Sequence, residues 1–122
     1  MVAGADVGTV VNPKDCIAQM YGGFCFGCGM ALLENVQYHR GRILNANLMD
    51  YLLVRSEDVP PIEVFFANTY EPRGPYGLKG IGESSANPVA SAIANAVSRA
   101  IGKRIKELPI TPEKILRLLG KL

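Results

Sequence analysis

The sequence predicts an α+β fold: three helices, at about 13–35, 88–101 and 112–119, packed with a small mixed or antiparallel sheet. One device recurs at the helix starts. Asn12-Pro13, Asn87-Pro88 and Thr111-Pro112 each set a capping side chain before a proline whose fixed φ suits the first helical position. Between those starts lie short apolar or alternating runs punctuated by glycine and proline, which read as strands. No repeat, low-complexity tract or linker interrupts the 122 residues, so a single domain, 1–122, is expected.

In chain order, Val7 to Val11 reads as a first strand. The helix opening at Pro13 is unusual, because residues 16–33 carry no charged side chain and approach the length of a membrane span. Gln19 and the glycines Gly22, Gly23, Gly27 and Gly29 lower its apolarity, and no second such stretch occurs. A helix buried on all sides is therefore expected in preference to a single-span anchor. Gly23-x-x-x-Gly27 with Ala31 leaves a groove where another segment or a cofactor can come close.

Val36–Tyr38 and Arg42–Leu44 read as a hairpin turning at Arg40-Gly41. Pro60-Pro61 breaks the chain before a longer strand over Ile62–Tyr70. After Pro88, Val89, Ala92, Ile93, Ala96, Val97, Ala100 and Ile101 form an apolar stripe at helical spacing. Gly102 terminates that helix, Arg104–Leu108 reads as a short strand, and the last helix stops at Gly120.

Hydrophobic content of 48% and charged content of 20% are those of a globular protein, and a net charge of +2 is too small to argue for nucleic acid. The basic excess, from Arg99 to Lys121, flanks helix ends, where cations offset the helix dipole. Three cysteines, an odd number, and no signal peptide point to a reducing, cytoplasmic setting. Cys25-x-x-Cys28 invites a metal site, but structural zinc needs four ligands and the single histidine, His39, lies across a turn. Free thiols in an apolar, glycine-rich run are expected to pack as small hydrophobes, and no metal ligand is assigned.

The chemistry is sharpest at Gly74-Pro75-Tyr76-Gly77-Leu78-Lys79-Gly80-Ile81-Gly82-Glu83. Glycines at this density leave backbone N–H groups uncovered and permit positive φ, so a flat or anionic ligand can approach the main chain. Glu83 is delivered to the edge of that cradle, where a carboxylate reads as a general base beside a bulky cofactor. The order Gly-Lys-Gly is not that of a Walker loop, and Ser85 stands where a dinucleotide fingerprint needs its third glycine.

Taken in register, these segments resemble a known family. They are Asp6-Val7-Gly8-Thr9-Val10-Val11-Asn12-Pro13, Gln19-Met20-Tyr21-Gly22-Gly23, Gly27 to Glu34, Asn47-Leu48-Met49-Asp50-Tyr51, Asp58-Val59-Pro60, Lys79 to Glu83, Ile93-Ala94-Asn95-Ala96 and Leu108 to Glu113. Together they resemble the C-terminal end of the molybdenum-binding large subunit of the xanthine dehydrogenase and aldehyde oxidase family, over essentially the whole chain.

The resemblance implies a molybdenum hydroxylase that places water-derived oxygen on an aldehyde, a purine or another N-heterocycle. Glu83 then matches the catalytic carboxylate that takes a proton from the attacking hydroxyl. Lys79, Gly80, Ile81 and Gly82 match the loop lying along the pterin of the molybdopterin cofactor, mainly through backbone groups. Gln19 matches a helix-borne glutamine that contacts the pterin, and Asp6 a position of structural role.

Ala18 stands where the family usually has glycine, Phe26 where it has a second glutamine, and Ser84-Ser85 where prolines are common. Phe26 offers no hydrogen bond to a pterin edge. Family subunits are several times longer, so the implied partners are the remaining molybdenum-subunit chain and the iron–sulfur and flavin subunits, which carry the 2Fe–2S cluster and FAD. A chain without them is expected to be inactive and to form a homo-oligomer through apolar surface normally covered. The other readings are a non-catalytic orphan fragment that self-associates or binds a partner, and the single-span membrane protein.

Overall fold

A computed structural model describes residues 1–122. Strand β1 (Val2–Ala5) leads through a turn into helix α1 (Pro13–Leu32), followed by the hairpin strands β2 (Tyr38–His39) and β3 (Arg42–Ile43). Strand β4 (Glu63–Phe66) precedes the glycine loop, then come helix α2 (Val89–Ile101) and helix α3 (Pro112–Leu118). The α+β class is as expected. Its sheet content is two separate pairs: β1 runs parallel to β4, and β2 is antiparallel to β3.

Several expected boundaries are corrected. The first strand lies at Val2–Ala5, not Val7–Val11, because Gly8 adopts φ 62° and Asp6 accepts its N–H, which turns the chain out of the sheet. Only Glu63–Phe66 of the long run forms a strand; beyond it the chain bends so that Thr69 reaches Asp6. Arg104–Leu108 forms no strand.

Helix α1 stops at Leu32 because the N–H groups of Leu33 and Glu34 both turn back to the Gly29 carbonyl. Asn12 and Thr111 do cap α1 and α3, accepting from the N–H of Asp15 and Lys114 respectively. At α2 the device works differently: Pro88 itself takes the capping position, with no side-chain cap. Gly102 (φ 66°) and Gly120 (φ 68°) follow α2 and α3 in the left-handed region, as a C-terminal glycine should. The hairpin turns at Arg40 (φ 47°) and Gly41 (φ 78°), two positive values in succession, as a tight hairpin requires.

The core forms where α1, α2 and the parallel pair meet. Phe24, Cys28, Ile62 and Val89 make its centre, with Ala3, Val64 and Ile93 packed around them. Burying Phe24 and Val89 contributes roughly 1.5–3 kcal/mol each. Burial pushes the Cys28 thiol up from its ordinary pKa. The chain's end returns to the same helix through the Ile110 N–H, which donates to the Ala31 carbonyl at 2.7 Å.

Helix α1 is not wrapped on all sides. Met20, Gly23, Phe24, Gly27, Cys28 and Ala31 are buried, while Phe26 is 69% exposed and Met30 49% exposed. Too few other residues exist to cover the second face. No helix is long and apolar enough to cross a membrane.

Candidate functional site

Helix α1 meets the turn that follows the glycine loop, and the start of α2, through two small-residue contacts. A Cβ at Gly23 would lie 2.1 Å from Ser85 Oγ, and one at Gly27 would lie 2.4 Å from Val89 Cβ. The Gly23–Gly27 groove is thus filled by the segment that carries Ser85 and opens α2, not by open space. Ser85 is buried there and donates its hydroxyl to the Gln19 carbonyl at 3.1 Å. Since Glu83–Ser85 is a single 3₁₀ turn, this bond ties the turn that carries Glu83 to α1.

The loop is anchored at its other end by Asp6. The Asp6 carboxylate accepts from Lys79 Nζ at 2.6 Å, from the Thr69 hydroxyl, and from the Gly8 N–H at 3.0 Å. Those contacts, Lys79 foremost, then Thr69 and Gly8, lower its pKa from 3.8 to about 2. Main-chain bonds reinforce the join: Lys79 N–H donates to the Val7 carbonyl at 2.8 Å and Thr9 N–H to the Gly77 carbonyl at 2.9 Å. Asp6 thus joins the loop at Lys79, and the chain at Thr69, each more than sixty residues from Asp6 in sequence.

Between these anchors the backbone is open. Gly80 and Gly82 have nothing within 4 Å of the point a Cβ would occupy. The N–H groups of Gly80, Ile81 and Gly82 donate to no acceptor in the chain. Of the loop's four glycines only Gly77 uses a positive φ, 77°. Gly80 and Gly82 contribute access to the main chain, not a turn. Glu83 is exposed and its carboxylate makes no hydrogen bond or ion pair within the chain.

The residues singled out from sequence are thus brought close, with different freedoms. Gln19, Lys79 and Ile81 line one cavity of about 290 Å³, together with Thr9, Asn12 and Leu78. Gly80, Gly82 and Glu83 lie beside it without lining it. Gln19 is exposed, and its side chain makes no hydrogen bond in the chain. Lys79 is committed inward, its ammonium to Asp6 and its N–H to Val7. Phe26 is far more exposed than its type warrants and does not line the cavity.

Sequence reasoning missed Ser85 and Thr69 as parts of the site. Ser85 carried a signal, since a polar residue so close after the glutamate has to find a partner once buried. Thr69 carried none.

Three unbonded N–H groups in succession, on glycine-bare backbone beside a free carboxylate, fit a flat polar ring system such as a pterin lying along the loop. Residues 1–60 match the model of the molybdopterin cofactor-binding domain. The chain is 39% identical over 112 residues to the xanthine dehydrogenase molybdenum-binding subunit of Escherichia coli O157:H7, a match covering 90% of this chain and 15% of that one. It is 36% identical over 119 residues to the aldehyde oxidoreductase molybdenum-binding subunit PaoC of Escherichia coli K12, covering 95% of this chain and 16% of that one.

The fold superposes on quinoline 2-oxidoreductase from Pseudomonas putida 86 with a TM-score of 0.90 and 36% identity, covering 98% of this chain and 16% of that one. The chain therefore spans about a sixth of the length of these proteins. With sequence and fold in agreement, the chain belongs to the molybdenum hydroxylases of the xanthine dehydrogenase and aldehyde oxidase family, as a segment of their molybdenum-binding subunit.

Proposed function

We propose that this chain is the C-terminal, Glu83-bearing unit of a molybdenum hydroxylase that oxidises an aldehyde, a purine or another N-heterocycle with oxygen drawn from water. The observation that carries the reading is the loop anchored at both ends, by Asp6 and by Ser85, with free N–H groups at Gly80, Ile81 and Gly82 and a free carboxylate at Glu83. When bound, the molybdenum cofactor supplies the two-electron oxidation.

The chain's own residues then do three things. Gly80, Ile81 and Gly82 would offer N–H donors to the pterin, and the Gln19 amide would add a contact from α1. Glu83 accepts a proton on a carboxylate oxygen as the new C–O bond forms, the work of a general base. Asp6 and Ser85 hold the loop so that this carboxylate keeps its place.

Catalysis on this reading requires the remaining molybdenum-subunit chain and the iron–sulfur and flavin subunits, in the cytoplasm. Glu83→Gln in the assembled complex should abolish hydroxylation while molybdenum and pterin content persist. Undiminished turnover would remove Glu83 from the chemistry.

One observation favours a second reading, an orphan module that associates without catalysis: Leu48 is 75% and Met49 90% exposed, alongside Phe26 at 69%. Light scattering showing a monomer at high concentration would count against it.

A further inference from the structure

The parallel pair β1–β4 has an open edge, and it faces a groove. The Glu63 N–H donates to the Met1 carbonyl and the Ala67 N–H to the Ala5 carbonyl, each at 2.9 Å. Main-chain groups alternate sides along a strand, so those of Val2 and Gly4 point away from β4 and have no partner strand. Every residue from Met1 to Val7 lines an open groove of about 450 Å³, and no residue of β4 does. Met20, Phe24, Val89 and Ala92 supply its apolar walls.

We propose that this groove seats an extended segment of the rest of the molybdenum-binding subunit, which pairs with β1 as a third strand. The proposal rests on the subunit reading above. The chain spans 15% of the E. coli subunit's length, so the occupant has ample chain to come from.

An extended backbone is the ligand that matches. Its alternating N–H and C=O groups meet those of Val2 and Gly4, and its alternate side chains meet the apolar walls. Two strands alone make a marginal sheet, which a third stabilises. A second copy of this chain fits less well. Phe26, Leu48, Met49 and Tyr76 are 69–90% exposed and none lines the groove, so the cover this surface needs extends well beyond one strand seat.

Hydrogen exchange on the complex purified from native cells tests the seat. The Val2 and Gly4 amides should exchange at least about tenfold more slowly than an unbonded amide. Two substitutions probe the same contact. Val2→Pro deletes one groove-facing N–H and leaves the β4 ladder intact, and Ala92→Glu puts a charge on the groove wall. Each should weaken association with the remaining subunit about tenfold or more.

A complex that retains the remaining subunit while Val2 and Gly4 exchange freely, or while both variants assemble as wild type, overturns the strand seat and leaves the subunit reading standing. A complex made only of this chain overturns both, and protection of Val2 and Gly4 within it would assign the groove to a second copy.

Discussion

Ser85 Oγ donates to the carbonyl oxygen of Gln19 across 3.1 Å, joining the glutamate-bearing turn to the helix that carries the site's glutamine. Two residues that the sequence separates by 66 positions thus set the spacing between the loop and α1. Ser85→Ala removes that bond in a buried setting and should lower stability by about 1 kcal/mol, read as a fall in unfolding midpoint. An unchanged midpoint would mean that packing alone holds the turn.

Neighbouring glycines of α1 should respond in opposite directions. Gly22 has nothing within 4 Å of its missing Cβ, so Gly22→Ala should stabilise the helix by about 0.5–1 kcal/mol. Gly23 faces Ser85, whose backbone carbonyl carbon would lie 2.7 Å from an added Cβ, so Gly23→Ala should destabilise by about 1–3 kcal/mol. Thermal unfolding of the two variants decides it, and equal shifts would disprove the close approach.

Acid should loosen the loop through Asp6. Its folded pKa of about 2 lies below the ordinary 3.8, so the stabilisation it gives is present above that ordinary value and is lost as pH falls from there through about 2. Asp6→Asn should be less stable than wild type near neutrality and show a flatter response over that acid range. Unfolding midpoints measured across it would reveal the difference, and parallel curves would contradict the link between Asp6 and Lys79.

The helices are legible in the sequence because their signals are local. A capping side chain before proline, an apolar stripe and a glycine stop each act within a few residues, and α1, α2 and α3 begin and end close to where those signals put them. Strands depend on partners far away. Val2-Ala3-Gly4-Ala5 has no large alternating side chains, and it is a strand only because Glu63–Phe66 lies beside it. Val7–Val11 has the better composition and is not one, since Gly8 turns the chain at that point.

The site divides in the same way. Glu83 and the bare glycines stand out in sequence because their chemistry is compact. The anchors, Asp6 to Lys79 and Ser85 to Gln19, span more than sixty positions and emerge only with the fold. The exposed face of α1 is hidden from sequence reasoning, because an uncharged stretch announces apolarity without saying which side packs against the rest of the chain.

On the function proposed above, this chain works as part of a molybdenum hydroxylase. Molybdenum and pterin content of whatever it co-purifies with from its native cells tests that most directly. A larger complex should carry both, in proportion to this chain. A metal-free assembly of this chain alone would contradict it.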